Sequence, residues 1–218
     1  MAPQHELSSL LPTMPDIDLI LFDVGGVLGT DGWDRHQRAN AIENFALDKD
    51  QFESRHQDAI GWWEEGRMTM AEYLDATVFY HPCPFAREAF SAFMFAQSKP
   101  CPEMITLARA LAKAGTYRLM TLNNEPAELN QHRIEIFALR DIFSAFFSSC
   151  YLGVRKPTPL IYRRALSIAQ ADPSRTVFID DREQNLTPAQ SLGIHTIQAT
   201  TAADVQRQLA TLNVTLPL

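Results

Sequence analysis

The sequence predicts an α/β fold, a doubly wound and mostly parallel sheet with a small helical cap inserted after its first strand. Three observations carry this. Short apolar runs ending on acidic residues, LILFD and TVFIDD, have the pattern of strands buried on both faces. Between such runs lie segments with apolar residues recurring at three and four, and strands alternating with helices imply right-handed crossovers around a parallel sheet. One long interval, 31–98, holds helical spacing and no strand pattern.

Taken in order, residues 1–16 read as a lead-in, with Pro3, Pro12 and Pro15 and few large apolar side chains. The first strand is expected from about Asp18 to Val24, followed by a turn carrying Gly25, Gly26 and Gly29. The cap, 31–98, is predicted as a small helical bundle from IENFALDKDQF, MTMAEYLDATVF and REAFSAFMFAQ. The core, 17–30 and 99–218, then resumes. CPEMITLARALAKAG reads as a helix closed by Gly115. RLMTLNN follows as a strand, EPAELNQHRIEIFAL as a helix and FSAFFSSCYL as a strand. PTPLIYRRALSIAQ is a helix, TVFIDD a strand, and EQNLTPAQSLG a helix ending at Gly193. HTIQAT is the last strand, before a helix from about Ala202 to Leu212. Such a sheet is Rossmann-like, but the glycines make no GxGxxG fingerprint, which argues against a dinucleotide site.

Bulk properties narrow the function. The 218 residues suffice for one domain and a modest insertion, and 46% hydrophobic with 21% charged residues is ordinary for a globular protein. A formal net charge of −7 disfavours generic nucleic-acid binding, which needs a basic face. No apolar run is long enough to span a bilayer, and the N-terminus lacks the basic leader and apolar stretch of a signal peptide. Cys83, Cys101 and Cys150 are odd in number and widely spaced, so buried packing thiols in a reduced, cytoplasmic protein are expected rather than disulfides or a zinc site.

Four stations fall at the C-terminal ends of strands, where ligands bind in an open α/β sheet. They are Asp23, the pair Asn123 and Asn124, Lys156 ahead of a helix, and the pair Asp180 and Asp181. Converging carboxylates repel one another, and a bound cation such as Mg²⁺ relieves that repulsion. The set suits phosphoryl transfer, with Asp23 as nucleophile, the amides and Lys156 on phosphoryl oxygens, and the acidic pair on the metal. Each residue also has a plainer reading, since aspartates end strands and cap helices and lysines sit on surfaces; their joint register favours the site.

These residues, with GVRKPTPLIY and VFIDDREQNLTPAQSLGI, resemble the haloacid dehalogenase-like superfamily of hydrolases, and within it the branch holding sugar-phosphate phosphatases such as those acting on glucose 1-phosphate. The resemblance runs from about Asp18 to Ala199. It implies an aspartyl-phosphate on Asp23, and Mg²⁺ held by Asp23, the Gly25 carbonyl, Asp180 and Asp181. Two departures stand out. Gly25 occupies the position where many family phosphatases carry the acid that protonates the leaving group, and Asn123 stands where Ser or Thr is usual, with Thr121 and Leu122 as one-residue alternatives in register. An amide can still donate to a phosphoryl oxygen. The missing acid is expected to be supplied by the cap, from Glu64 or Glu65 or with Arg67 as an electrostatic substitute, or to be dispensable for esters with good leaving groups such as anomeric sugar phosphates.

Trp62 and Trp63, with Phe90, Phe93 and Phe95, are either a substrate-facing wall or cap core, and helical spacing favours core. The aromatic content also suits either a packed monomer or a homodimer interface. His36, His56, His132 and His195 have no metal or relay spacing, and Arg155 is as compatible with solvent as with phosphate. The expected function is Mg²⁺-dependent hydrolysis of a small phosphorylated metabolite. The rivals are a metal-independent 2-haloacid dehalogenase and a non-catalytic phospho-ligand-binding protein.

Overall fold

A computed structural model describes residues 16–216 of the protein; the lead-in proposed for 1–16 lies almost wholly outside them. Five strands form one parallel sheet: β1 (Leu19–Phe22), β2 (Arg118–Asn123), β3 (Ala145–Ser148), β4 (Thr176–Asp180) and β5 (His195–Gln198), in the order β3-β2-β1-β4-β5. Between β1 and β2 lie α1 (Arg35–Phe45), α2 (Lys49–Glu64), α3 (Met70–Thr77), α4 (Arg87–Ala96) and α5 (Pro102–Ala114). The later helices are α6 (Ala127–Ile136), α7 (Ser149–Leu152), α8 (Pro159–Ala169), α9 (Glu183–Ser191) and α10 (Ala202–Thr211).

The alternation within strands explains the layers. Ile20 and Phe22 of β1, with Val177 and Ile179 of β4, join α5 and α10 on one face, where Met104, Leu107, Ala108 and Leu111 recur at helical spacing. Leu19, Leu21 and Phe178 face the other way, toward Ile161 and Tyr162 of α8 and Leu186 of α9. Every residue of β1 is buried, as a strand covered on both sides requires. Burying one such side chain is worth about 1.5–3 kcal/mol, so the sheet is a rigid platform for whatever its edge carries. The helix over Pro102–Ala114 begins with proline in its first turn and stops at Gly115, whose φ of 67° is the left-handed geometry expected there.

Two element predictions need correction. The first strand spans Leu19–Phe22, shorter than 18–24; Asp18 still bonds through its backbone to Arg175 and Arg118, and its carboxylate pairs with the Arg118 guanidinium at 2.6 Å. The strand read over FSAFFSSCYL ends at Ser148, and the chain turns at once into α7. Ser148 donates to the side chains of Asn123 and Asn130, and Ser149 Oγ donates to the Glu64 carbonyl, which ties this corner to its neighbours in place of further strand pairing. The thiols Cys83, Cys101 and Cys150 are free and half-buried rather than fully buried.

Helices α1–α4 build their own apolar cluster around Trp33, Phe52, Trp63, Tyr73 and Phe90, joined by Leu129 from α6. Trp63 stacks on Tyr73 with ring centroids 4.1 Å apart, and Phe90 packs edge-on to Trp33. Trp63 and Phe90 are therefore core, Phe93 and Phe95 pack at its margin, and Trp62 is exposed. Beneath them, His56 Nδ1 lies 2.8 Å from the Tyr73 hydroxyl. Burial, assisted by the Arg38 charge, pushes the His56 imidazole down to about 3. The folded state thus excludes a proton that the unfolded chain takes up near its ordinary value. Stability carried by neutral His56 is complete above about pH 6.5 and is lost as pH falls toward 3, by at most about 1.4 kcal/mol per pH unit. Thermal melts of wild type and His56→Gln across that range are expected to converge on acidification; parallel curves would rule the effect out.

Candidate active site

The sheet order creates the site. After β1 the chain builds β2 and β3 on one side and then crosses to β4 and β5 on the other, so β1 and β4 are neighbours at the point where the winding reverses. Crevices at the carboxyl ends of strands form at that point. Asp23 follows β1 directly, and its backbone N–H donates to the Ile179 carbonyl at 2.9 Å. Asp180 ends β4 and Asp181 follows it. The three carboxylates contribute oxygens that all lie within 4.8 Å of one another.

Lys156 reaches into this cluster from the loop before α8. Its Nζ lies 2.9 Å from Asp23 Oδ1 and 2.6 Å from Asp180 Oδ2, and donates to the Leu122 carbonyl at 3.1 Å. Lys156 is 5% exposed and Asp180 0%, which makes this an interior charge cluster. Burial pushes the Asp23 carboxyl up to about 8, against the pull of Lys156 and with the push of Asp180. Burial opposes the charge on Lys156, yet Asp23 and Asp180 outweigh it and raise its affinity for the proton. Asp181 is also raised, by burial and then by Asp180. Its Oδ1 is buried without a hydrogen-bond partner among the described residues. Three carboxylates with one lysine and an unpartnered carboxylate oxygen form a donor set suited to a hard divalent cation.

Asn185 Nδ2 donates to both oxygens of Asp180, at 3.0 and 3.1 Å, and the Arg182 N–H adds a bond of 2.8 Å to Asp180 Oδ1. Asn185 lies within the EQNL segment but carries no signal beyond its offset from the acidic pair. In the sequence Gly26 reads only as a turn residue. Its φ of 75° is left-handed, and a Cβ there would sit 2.6 Å from the Asp181 carboxyl. Gly26→Ala is expected to push Asp181 aside, weakening Mg²⁺ binding by at least ~10-fold, a loss typical of disturbed ligand geometry. Isothermal titration with Mg²⁺, alongside circular dichroism, checks this; unchanged affinity would refute it.

A cavity of about 830 Å³ opens over the cluster, between the sheet edge and the helices α1 and α2. Asp23, Gly25, Asn124, Lys156 and Glu64 line it. Asn124 latches the lysine loop, donating to the Lys156 carbonyl at 2.9 Å and accepting from the Lys156 N–H at 2.8 Å. Asn123 does not line the cavity; its buried amide donates to Asn130 and accepts from Ser148. Among the cap residues predicted to meet substrate, Glu64 alone reaches the cavity, paired there with Arg155 at 2.6 Å. Trp63 is buried and Trp62 is exposed beneath Arg67, which itself pairs with Glu65. The reason is helical phase: residues 62–65 turn through a full circle, so only one of them can face the sheet. Arg155, ambiguous in the sequence, bridges α2 to the lysine loop.

A parallel sheet with an aspartate after its first strand, a buried lysine and a paired acidic motif at the switch point defines a class of α/β hydrolases. The chain belongs to the haloacid dehalogenase-like hydrolase family, whose model matches residues 17–193. It is 34% identical over 125 residues to bifunctional epoxide hydrolase 2 of Rattus norvegicus, an alignment covering 56% of this chain and 22% of that protein. The chain thus spans about a fifth of the length of that relative. It is 31% identical over 74 residues to D-ribitol-5-phosphate phosphatase of Bacteroides thetaiotaomicron, covering 34% of this chain and 36% of that enzyme. A solved structure of a family enzyme from Bacteroides thetaiotaomicron, in complex with magnesium and inorganic phosphate, superposes with a TM-score of 0.67 at 27% identity, covering 84% of this chain and 94% of that one. Among the described residues, no helix is long and apolar enough to cross a membrane.

Proposed function

We propose that the protein is a Mg²⁺-dependent phosphatase acting on a small phosphorylated metabolite. The convergence of Asp23, Asp180 and Asp181 within 4.8 Å around a buried lysine carries this reading. Two matches support it: a relative named as a sugar-alcohol phosphate phosphatase, and a structural neighbour in complex with magnesium and inorganic phosphate. Asp23, Asp180, Asp181 and the Gly25 carbonyl would hold the metal, which when bound neutralises charge on the phosphoryl oxygens.

In this reading Asp23 attacks phosphorus through the carboxylate oxygen not bound to the Val24 N–H, forming the aspartyl-phosphate. Lys156 favours the ionised form of Asp23 against its burial and meets phosphoryl oxygens, while Asn124 holds the lysine loop in place. Asn123 acts from behind, fixing the end of β2 through Asn130 and Ser148. Helices α1–α4 serve as the cap over the cavity, with Glu64–Arg155 and Arg182–Asp31 as ion pairs that hold it closed. Opening breaks those pairs, and closure excludes water from the reaction.

A 2-haloacid dehalogenase would bring a substrate carboxylate into a site already crowded with carboxylates, which Coulomb repulsion opposes. The deciding assay is phosphate release from sugar phosphates and p-nitrophenyl phosphate with Mg²⁺ or with EDTA, beside chloride release from 2-chloropropionate. Mg²⁺-dependent phosphate release is expected; chloride release independent of metal would overturn the proposal.

A further inference from the structure

Gly25 provides no side chain to protonate a leaving group, and the structure shows what occupies its place. A Cβ at Gly25 would lie 3.3 Å from the Gly32 backbone nitrogen and 3.7 Å from Arg133 Nη1. Segment 31–32 and a buried guanidinium therefore fill the space such a side chain would enter. Gly32 in turn lies against Glu125, whose Oε1 would be 2.7 Å from a Cβ at that position. Gly32 thus makes room for the Glu125 carboxyl against the same segment that abuts Gly25.

Glu125 lines the same cavity as Asp23, Gly25 and Lys156, yet is only 2% exposed. Its N–H donates to Ser149 Oγ, which fixes the backbone, and its carboxylate pairs with Arg133 at 3.5 Å. Arg133 is itself fixed, through Nε to Ser98 Oγ and through Nη2 to the Asp31 carbonyl, while its Nη1 has no hydrogen-bond partner among the described residues. Of the other acids on the cavity beyond Asp23, Glu64 is engaged by Arg155 at 2.6 Å, Glu53 by Arg38 at 3.0 Å, and Asp31 and Asp34 by Arg182, while Glu43 is exposed.

We propose that Glu125 is the acid that protonates the leaving-group oxygen, replacing the side chain that Gly25 lacks; this rests on the phosphatase reading above. As the Asp23 oxygen bonds to phosphorus, the bond from phosphorus to the ester oxygen breaks. Its electron pair stays on that oxygen and takes the Glu125 proton, so the alcohol leaves neutral and Glu125 becomes a carboxylate. The carboxylate then takes a proton from the water that attacks the aspartyl-phosphate, releasing phosphate and restoring both residues. Burial favours the protonated acid, Arg133 opposes it, Glu64 and Asp31 reinforce burial, and Lys156 opposes it; the net direction is upward.

The test is kcat/KM for p-nitrophenyl phosphate and for an alkyl phosphomonoester, glycerol phosphate, in wild type and Glu125→Gln. An alkoxide needs a proton to leave, whereas p-nitrophenolate does not. General-acid catalysis of this kind contributes on the order of 100-fold or more, so the alkyl ester is expected to lose about 100-fold and the aryl ester less than ~10-fold. Glu125→Gln leaves Arg133 unpaired in the interior, so the double variant Glu125→Gln/Arg133→Met carries the same comparison if the single one fails to fold. Wild-type rates across aryl phosphates of graded leaving-group acidity provide a second reading, and a shallow dependence is expected. Equal losses for both esters, no loss, or a steep wild-type dependence would overturn the assignment while leaving the phosphatase standing. Absence of phosphate release from wild type with every ester would overturn the phosphatase reading and this assignment together.

Discussion

Asp23→Asn is expected to reduce Mg²⁺-dependent phosphate release by at least ~10³-fold, the scale on which removal of a covalent nucleophile acts. The substitution is nearly isosteric, and its amide oxygen can keep the 2.8 Å bond from the Val24 N–H. That same oxygen faces Lys156 at 2.9 Å, so what the substitution removes is the negative charge and the second, attacking oxygen. Folding should survive, because the variant also removes a carboxyl that burial pushes up to about 8 and that the Asp180 charge disfavours further. Relief of that repulsion offsets the weakening of the lysine contact to an uncharged oxygen, so the thermal midpoint should move by only a few degrees. Asp180 and Asp181 remain, so Mg²⁺ binding should weaken rather than vanish. Phosphate release by the variant within ~10-fold of wild type would exclude Asp23 as the nucleophile.

Lys156→Met carries the second large effect, and it reads on stability as well as rate. The ammonium places its protons on Asp23, Asp180 and the Leu122 carbonyl, with both carboxylates essentially out of water. Methionine fills similar volume but leaves two buried carboxylates facing each other. Removing one partner of a buried ion pair costs roughly 3–5 kcal/mol, and that is the expected loss in EDTA. Without the lysine pull, Asp23 is pushed further up, so the destabilisation should deepen as pH rises and its proton is driven off. A cation bound by the same carboxylates substitutes for the lost charge, so millimolar Mg²⁺ should restore part of the stability by mass action. Turnover should still fall by ~10²–10³-fold, since the phosphoryl oxygens lose a fixed positive charge. Melting curves of the variant with and without Mg²⁺ are the measurement; a midpoint equal to wild type in EDTA would show that the three-charge cluster contributes nothing.

The parts of the site legible in the chain are those attached to regular strands. Asp23 and Asp180 end continuous apolar runs, which marks them as strand ends, and parallel strands bring such ends to one edge. Lys156 was legible through its place ahead of a helix starting with Pro159, although nothing local shows that its side chain runs inward to two carboxylates. Asn123 reads in the sequence as a phosphate ligand because it stands at the C-terminal end of a strand. Its amide instead bonds Asn130 and Ser148, seven and twenty-five residues away. The insert was the least legible part. Residues 62–65 all looked eligible, and only the phase of α2 against the sheet selected Glu64.

By itself the sequence determined the strand-and-helix order, the helical insertion after β1 and the aspartates at the strand ends. These follow from apolar periodicity and turn chemistry, which act between residues a few positions apart. Only the tertiary structure decided that β1 lies between β2 and β4, that Gly26 gives way to Asp181, and that Gly32 gives way to Glu125. Each of those depends on packing between segments tens of residues or more apart, where a contact is settled by which side chains can share one volume.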